Sequence, residues 1–418
     1  MVVSPVKWIR VHINKITQSI AFYPALIAIS FLFLSWGMLE LDFSPWGKQL
    51  KQQLSWLSLK DASTARTIIS TVGGAIISLT VFSFSMVMIV LNQAASQMSN
   101  RVLSSMIENR FQQIILGCYI GTIVYALFLL STIRDINSGV YVPALSIYLL
   151  ILLTVVDIFL FIYFLDYVTQ TLKYENVIHR VQQQTRKSME EKYSTMADII
   201  PGLENMPFVE LAAKESNYYQ GFSTKKLLAL AEEYDLFISF ACKPGDFILK
   251  GTVYIKVYFV SGNTRSDWEP AIDAFVDFYR GQPIQRNPEY GFLQLAEIAL
   301  KSLSPGINDP ATAVLSLHAL SDLLAYRLSY YPAKLSTDIN GVSRVCSMVS
   351  SFQDLFIKCI HPIWNYGKQD QYIQNELLIM INALKERDLE NCHTVLLNRL
   401  LTKVGEAKKQ LPANEENF

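Results

Sequence analysis

Four long stretches in the first part of the chain are apolar on every side. They lie at about 20–39, 67–91, 113–132 and 142–167. Each approaches the roughly 20 residues that an α-helix needs to cross the hydrocarbon core of a membrane. A helix that is apolar all round fits such a span better than it fits the surface of a soluble domain. The pattern therefore predicts four transmembrane helices.

The first of these stretches begins like a signal peptide, because basic residues precede it: Lys7, Arg10 and Lys15. It is, however, long enough to cross the membrane, and no cleavage site of small residues follows it. We therefore expect the stretch to remain in the protein as an uncleaved first membrane helix.

Basic residues near the spans indicate the orientation, because Lys and Arg concentrate on the cytoplasmic side of membrane proteins. The loop after the second span and the segment after the fourth are basic, through Arg101, Arg110, Lys173, Arg180, Arg186 and Lys187. The first loop, at about 40–66, is also basic and opposes this assignment. The long basic flank after the fourth span favours a multi-pass protein of the bacterial inner membrane, with both termini in the cytoplasm.

The pattern changes after the membrane domain, which we place at 1–170. Residues 171–200 are polar and helix-forming, and they predict a helical linker. Residues 201–290 predict a small α/β unit with one amphipathic helix, two β-branched or aromatic strands and a Pro-Gly turn between the strands. These elements are predicted at Lys225–Tyr234, Leu236–Cys242, Thr252–Val260 and Lys243–Asp246.

Apolar residues recur at helical spacing over the last part of the chain. This spacing predicts a helical bundle over 291–407, and the polar segment 408–418 predicts a disordered tail. The fold class expected from the whole pattern is a membrane α-helical protein with four transmembrane helices and a C-terminal α+β cytoplasmic domain.

Composition excludes several classes of function. Lys and Arg number 36, as do Asp and Glu, and this zero balance argues against a nucleic-acid partner. The five cysteines form no CxxC pair, so we expect no disulfide framework and no metal site. The chain has no Walker loop, nucleophile elbow or HExxH motif, and its five histidines are scattered. We therefore expect no enzyme and no cofactor.

The second predicted span carries small and polar residues along one face. They are Thr71, Gly74, Ser78, Ser85, Asn92 and Ser96. Small residues let neighbouring helices approach closely, and their hydroxyls bond adjacent backbone. The same face could also line a water-filled pore in a ring of identical subunits. Both interpretations remain open, because a helix that lines a pore must also pack tightly.

The fourth predicted span contains one ionisable residue, Asp157. A charge inside the bilayer is costly, so such a residue is a candidate for a functional role. The alternative is a structural hydrogen bond to a hydroxyl or backbone group of a neighbouring helix.

The segment Ser304-Pro305-Gly306-Ile307-Asn308-Asp309-Pro310 predicts that one helix stops and another starts. Gly306 supplies a permissive backbone, Asp309 is a natural N-cap, and Pro310 suits a first helical turn that continues through Thr312. Amides at the new N-terminus could bind an anion. A tight turn between two helices is the simpler explanation.

The chain resembles the family of bacterial membrane proteins designated domain of unknown function 2254. The resemblance rests above all on Ser304–Pro310, and it extends from the first span to about residue 330. Other matching segments are Thr64–Arg66, Ser96–Gln97, Arg101–Leu103, Leu116–Gly117, Gly121–Thr122, Tyr125–Ala126, Ser216–Gln220, Pro244–Phe247 and Gly251. The resemblance implies the four-helix membrane part and the cytoplasmic domain, but no particular activity.

Taken together, these features favour a homo-oligomeric ion channel or pore with a cytoplasmic domain for assembly or gating. The expected partners are the lipid bilayer, further copies of the chain and ions. A second hypothesis is an ion- or proton-coupled transporter that uses Asp157. A third is a membrane-anchored sensor or scaffold that binds a ligand or partner at the Ser304–Pro310 turn.

Overall fold

A computed structural model describes residues 21–53, 61–97, 110–133, 142–171, 173–195, 206–260, 268–279, 281 and 283–410. The basic residues before residue 21, Arg101 and the tail beyond residue 410 therefore lie outside the described residues. The chain divides into two compact units, Met1–Lys173 and Tyr174–Phe418. Each unit is described by itself below.

The first unit is helical in its described part. Its helices are α1 (Phe22–Phe43), α2 (Pro45–Gln53), α3 (Ala62–Gln97), α4 (Arg110–Thr132) and α5 (Ala144–Thr171). Four of them are long and apolar enough to cross a membrane, over Phe22–Phe43, Ala62–Val90, Phe111–Thr132 and Ala144–Gln170. The four predicted spans are thereby confirmed, although the second begins about five residues earlier, and the first and fourth end a few residues later, than the sequence indicated.

Two glycines set the close packing of α1 against α4. Gly117 and Gly121 lie one turn apart on α4, which is the spacing that lets helix backbones approach closely in membranes. A β-carbon at position 117 would lie 2.6 Å from Ile27 and 3.2 Å from the backbone of Pro24. A β-carbon at position 121 would lie 2.7 Å from the ring of Phe31. Neither position has room for a side chain.

A buried carboxylate, Asp42, joins the end of α1 to the start of α5. It accepts hydrogen bonds from the backbone amides of Leu145 at 3.1 Å and Ser146 at 2.8 Å, and from the Ser146 hydroxyl at 2.7 Å. The first amides of a helix have no partner within that helix and favour a negative charge. Lys51 of α2 pairs with the same carboxylate at 2.9 Å, so the negative charge is balanced.

The second unit contains a five-stranded sheet. Its strands are β2 (Phe208–Ala212), β4 (Leu236–Phe240), β6 (Val253–Phe259), β9 (Leu335–Thr337) and β10 (Ser343–Cys346). Their order is β2-β6-β4-β10-β9, and β10 runs parallel to β4 while the other neighbours are antiparallel. The predicted strands at Leu236–Cys242 and Thr252–Val260 are confirmed as β4 and β6.

Short strands and two helices complete this sheet region. The strands β3 (Asn217–Phe222), β5 (Phe247–Ile248) and β7 (Val276–Phe278) form a second sheet in the order β5-β3-β7. Helix α7 (Thr224–Glu233) confirms the predicted amphipathic helix, and it buries Leu227, Leu230 and Ala231 in the core that the strands share. The other helix is α8 (Glu269–Phe275), and the predicted turn at Lys243–Asp246 has Gly245 at φ +104°.

The rest of the second unit is mainly helical. Its elements are α6 (Tyr174–Glu190), β1 (Tyr193–Ser194), α9 (Glu289–Ser302), α10 (Pro310–Ser329), β8 (Tyr331–Pro332), α11 (Phe352–Gly367), α12 (Gln371–Arg387) and α13 (Thr394–Gln410). The strands β8, β9 and β10 fall inside the stretch predicted as a helical bundle. Because β10 pairs with β4, the bundle and the α/β unit share one sheet.

Helix α6 lies where the sequence predicted a helical linker over 171–200. It starts at Tyr174, after α5 ends at Thr171, and it packs against α9 and α10. Gly291 of α9 has no side chain, and a β-carbon there would overlap the Thr185 hydroxyl of α6. This segment is therefore part of the packed second unit.

We predict that Gly121→Ala destabilises the protein, because the added methyl must displace the Phe31 ring. Overpacking of this kind costs about 1–3 kcal/mol, and the thermal unfolding temperature of the purified protein in detergent should fall. Gly37→Ala is the matched control, since that glycine lies in α1 with open space around it. Equal unfolding temperatures for the two variants would contradict the packing described here.

Candidate functional site

Helix α3 has two opposite faces of different chemistry. One face is buried against the other membrane helices through Ala62, Ala65, Ile69, Ile76 and Ser83. The opposite face is exposed in the protomer and carries Thr71, Gly74, Ser78, Ser85 and Asn92. We call these five residues the polar stripe. They are the residues predicted as pore-lining or helix-packing, apart from Ser96, whose side chain lies outside the described residues.

Two of the three hydroxyls of the polar stripe, those of Ser78 and Ser85, are bonded within their own helix. Ser78 donates to the carbonyl of Gly74 at 3.0 Å, and Ser85 donates to the carbonyl of Val81 at 2.8 Å. These bonds lower the cost of placing a hydroxyl in an apolar environment. Each oxygen can still accept a hydrogen bond, so the face remains able to interact with water or with another polar group.

The exposed face of α5 offers a contrast within the same unit. Its exposed residues are large and apolar: Leu152, Val155, Val156, Phe159 and Ile162. Such a surface matches the apolar tails of lipids. The polar stripe of α3 does not match lipid tails in this way. Large apolar residues of α3 are exposed beside the stripe: Ile77, Val81, Phe82, Phe84, Met88 and Ile89.

The predicted intramembrane charge, Asp157, points into the helix bundle. Its side chain is buried, and its Oδ2 atom has no hydrogen-bond partner among the residues that the structure describes. On α4, the Thr122 hydroxyl lies beside the carboxyl, and Cys118 and Tyr119 lie within reach of its charge. Ser83 of α3 lies beside the Tyr119 hydroxyl.

The three companions of Asp157 were not found by sequence reasoning. Ser83 lies in the same span as the polar stripe but on the buried face of the helix. The sequence around a hydroxyl in a membrane helix does not indicate which residue of another helix it contacts. The spacing of Tyr119 and Thr122 places both on one face of α4. This spacing predicts that the two hydroxyls lie near each other, but it does not predict that they lie near Asp157.

In the second unit, the Ser304–Pro310 segment forms the predicted stop and restart between α9 and α10. The Ser304 carbonyl accepts from the amides of Ile307 at 3.0 Å and Asn308 at 2.9 Å, and the Asp309 amide donates to Ser302 at 2.8 Å. The residue with positive φ is Asn308, at +48°, and not Gly306. Asparagine tolerates this conformation better than most residues, so the permissive position predicted for Gly306 falls two residues later.

Asp309 caps α10 as predicted. Its carboxylate accepts from the Thr312 amide at 3.1 Å and from the Thr312 hydroxyl at 2.6 Å, and Pro310 occupies the first turn. Pro305 and Gly306 are exposed at the tip of the turn. Burial, with the negative charge of Asp309 nearby, raises the pKa of Tyr174. Because the Asp309 carboxylate accepts from the Thr312 amide, a carboxylate of the chain itself takes the position that an anion would occupy at this helix N-terminus.

The described part of the chain contains no group of three or more His, Cys, Asp or Glu side chains arranged to hold a metal ion. His318, which follows the turn on α10, contacts Glu376 of α12 at 2.9 Å. The polar stripe and the Asp157 cluster lie in the first unit, and the turn lies in the second.

Comparison with known proteins gives a consistent result. Residues 17–383 match a family described as predicted membrane proteins, DUF2254. The chain is also similar to the uncharacterized proteins Rv1290c of Mycobacterium tuberculosis and Mb1321c of Mycobacterium bovis. Each is 24% identical over 369 residues, which cover 84% of this chain and 70% of the relative. No solved structure matches the chain.

We predict that Asp309→Ala lowers the stability of the protein by about 1 kcal/mol, because the Thr312 amide loses its cap. Asp309→Asn should stay close to the parent protein, since asparagine caps a helix about as well as aspartate. Thermal unfolding of the full-length protein measures both effects. If both variants lose the same stability, the carboxylate charge is required at the turn and capping is not its role.

Proposed function

The chain belongs to the DUF2254 family of predicted membrane proteins, and from this premise we propose that it forms a homo-oligomeric ion channel or pore. The site of action would be the bacterial inner membrane. Several copies of α3 would surround a common axis, with the polar stripe facing that axis. The second unit would lie in the cytoplasm with both termini and would assemble the ring or gate it.

The observation that supports this proposal is the exposure of the polar stripe on the side of α3 opposite its packing face. A single copy of the chain would turn Thr71, Ser78 and Ser85 toward lipid. In a ring, the same residues would meet water or the α3 helices of neighbouring copies. Small polar side chains leave space for hydrated ions and can replace part of their water shell.

The apolar residues that flank the stripe fit the same arrangement. Ile77 and Val81 lie beside Ser78 and are exposed in the protomer. Between neighbouring α3 helices they would pack against each other, and the small residues would allow the backbones to come close. The ring would thus use one helix both for contact between subunits and for the lining of the opening.

The second candidate function is an ion- or proton-coupled transporter, and the observation in its favour is the buried carboxyl of Asp157. In a coupled carrier, a charge inside the membrane binds the coupling ion. Asp157→Asn should then abolish coupled flux. In a channel lined by the polar stripe, the same substitution changes conductance without abolishing it.

We predict that Ser78→Leu reduces ion flux by at least about tenfold, because one large apolar side chain from every subunit would narrow and dry the opening. The measurement is flux through purified protein in liposomes. Ser30→Leu is the matched control: Ser30 is exposed on α1 and, like Ser78, donates to the carbonyl four residues earlier. This control should conduct like the parent protein.

Two results would overturn the channel proposal. One is the absence of ion flux in liposomes together with an oligomer that has no opening along its axis. The other is an equal loss of flux in Ser78→Leu and Ser30→Leu, since that loss would reflect an exposed leucine in general and not the polar stripe.

A further inference from the structure

We infer that the membrane unit binds one monovalent metal cation of about the size of Na⁺ between α3, α4 and α5. The ligands are the side-chain oxygens of Ser83, Tyr119, Thr122 and Asp157, which we call the oxygen cluster. This cluster lies on the buried side of α3, away from the polar stripe. The inference therefore does not rest on the proposed channel.

The first observation is that the oxygen cluster is closed to solvent within the protomer. Ser83 and Tyr119 have 0% of their surface exposed, Thr122 has 1% and Asp157 has 2%. Four oxygens, Ser83 Oγ, Tyr119 Oη, Thr122 Oγ1 and Asp157 Oδ2, face each other in two pairs, Ser83 with Tyr119 and Thr122 with Asp157. None of the four makes a hydrogen bond of normal geometry to a residue that the structure describes. Buried polar atoms nearly always have a partner, so a group of four is an exception that needs a cause.

The second observation is that these oxygens belong to one place. Tyr119 and Thr122 are three residues apart on α4 and share a face. The Thr122 hydroxyl lies next to the Asp157 carboxyl, and Tyr119 lies close enough to interact electrostatically with that carboxyl. Ser83 approaches the Tyr119 hydroxyl from α3. Three helices thus direct oxygen atoms toward a common region.

Charge decides what the oxygen cluster can hold. Asp157 makes no ion pair with a described residue, whereas the other buried carboxylate of this unit, Asp42, pairs with Lys51. The described basic residue of α3 is Arg66, and its guanidinium reaches the carbonyl of Ile133 at the opposite end of α4 from Arg110. One carboxylate needs one positive charge, because an unbalanced charge inside the bilayer is expensive.

The chemistry of the ligands favours a monovalent metal ion over the other candidates. Carboxylate and hydroxyl oxygens are hard ligands that suit alkali and alkaline-earth ions. A divalent ion would leave one excess positive charge beside a single carboxylate. A proton would also neutralise Asp157, and the hydroxyls would then pair as Thr122 with Asp157 and Ser83 with Tyr119, so the experiment below varies Na⁺ and pH separately. A monovalent metal ion balances the charge and accepts a lone pair from all four oxygens.

The inference is tested by the thermal unfolding of the purified full-length protein in detergent. Sodium chloride is compared with N-methyl-D-glucamine chloride at equal ionic strength and pH. Binding to the folded state alone stabilises it in proportion to ligand occupancy. The unfolding temperature should rise with Na⁺ and saturate, with a gain of at least about 3 °C at high occupancy.

Two variants locate the effect. Asp157→Asn and Thr122→Val should each abolish the rise with Na⁺. Thr154→Val is the matched control, because the Thr154 hydroxyl on α5 donates to the carbonyl of Leu150 and lies outside the oxygen cluster. It should keep the full response to Na⁺. If Asp157→Asn does not fold, the comparison of Thr122→Val with Thr154→Val still decides the result.

Several outcomes would overturn the inference. One is an unfolding temperature that does not differ between the two salts. Another is a response to Na⁺ that survives in Thr122→Val and in Asp157→Asn. Stabilisation that follows pH but not Na⁺ would assign the oxygen cluster to a proton. Because flux is measured separately in liposomes, a protein that conducts nothing can still support the cation site, and the reverse also holds.

Discussion

The hydrocarbon core of a membrane has no water to satisfy polar groups, and the arrangement of the first unit follows from this constraint. Three of its exposed serines, Ser30, Ser78 and Ser85, bond carbonyls of their own helix. Its best-bonded buried carboxylate, Asp42, is matched with helix amides and with Lys51. The oxygen cluster around Asp157 departs from this pattern, and that departure is what singles it out.

Helix α3 serves as the common element of the first unit. One side contributes Ala65, Ile69 and Ile76 to the packed core, and the same side contributes Ser83 to the oxygen cluster. The opposite side presents small polar residues outward. A helix with two such faces can join the internal structure of one protomer to contacts outside it, and a change on one face can reach the other through the position of the helix.

The sequence was sufficient for elements that depend on local pattern. The four spans, the strands β4 and β6 and the cap at Asp309 follow from apolar length, alternation and turn chemistry over neighbouring residues. Contacts between distant residues could not be predicted in this way. Asp42 bonds Ser146, Gly121 packs against Phe31, and β10 pairs with β4. The residues next to each of these positions in the sequence do not indicate which distant residue it contacts. Asp157 was found because it is charged, but its three neutral companions carry no comparable signal.

The bond between Asp42 and the start of α5 also constrains how the protein is made. Asp42 leaves the ribosome about 100 residues before Ser146, so at about 5–20 residues per second its carboxylate waits for roughly 5–20 s. During that interval the end of α1 has no helix N-terminus to bind, and of the partners of Asp42 only Lys51 has been made. The bond that ties the end of the first membrane helix to the fourth can therefore form only after the fourth helix begins to emerge.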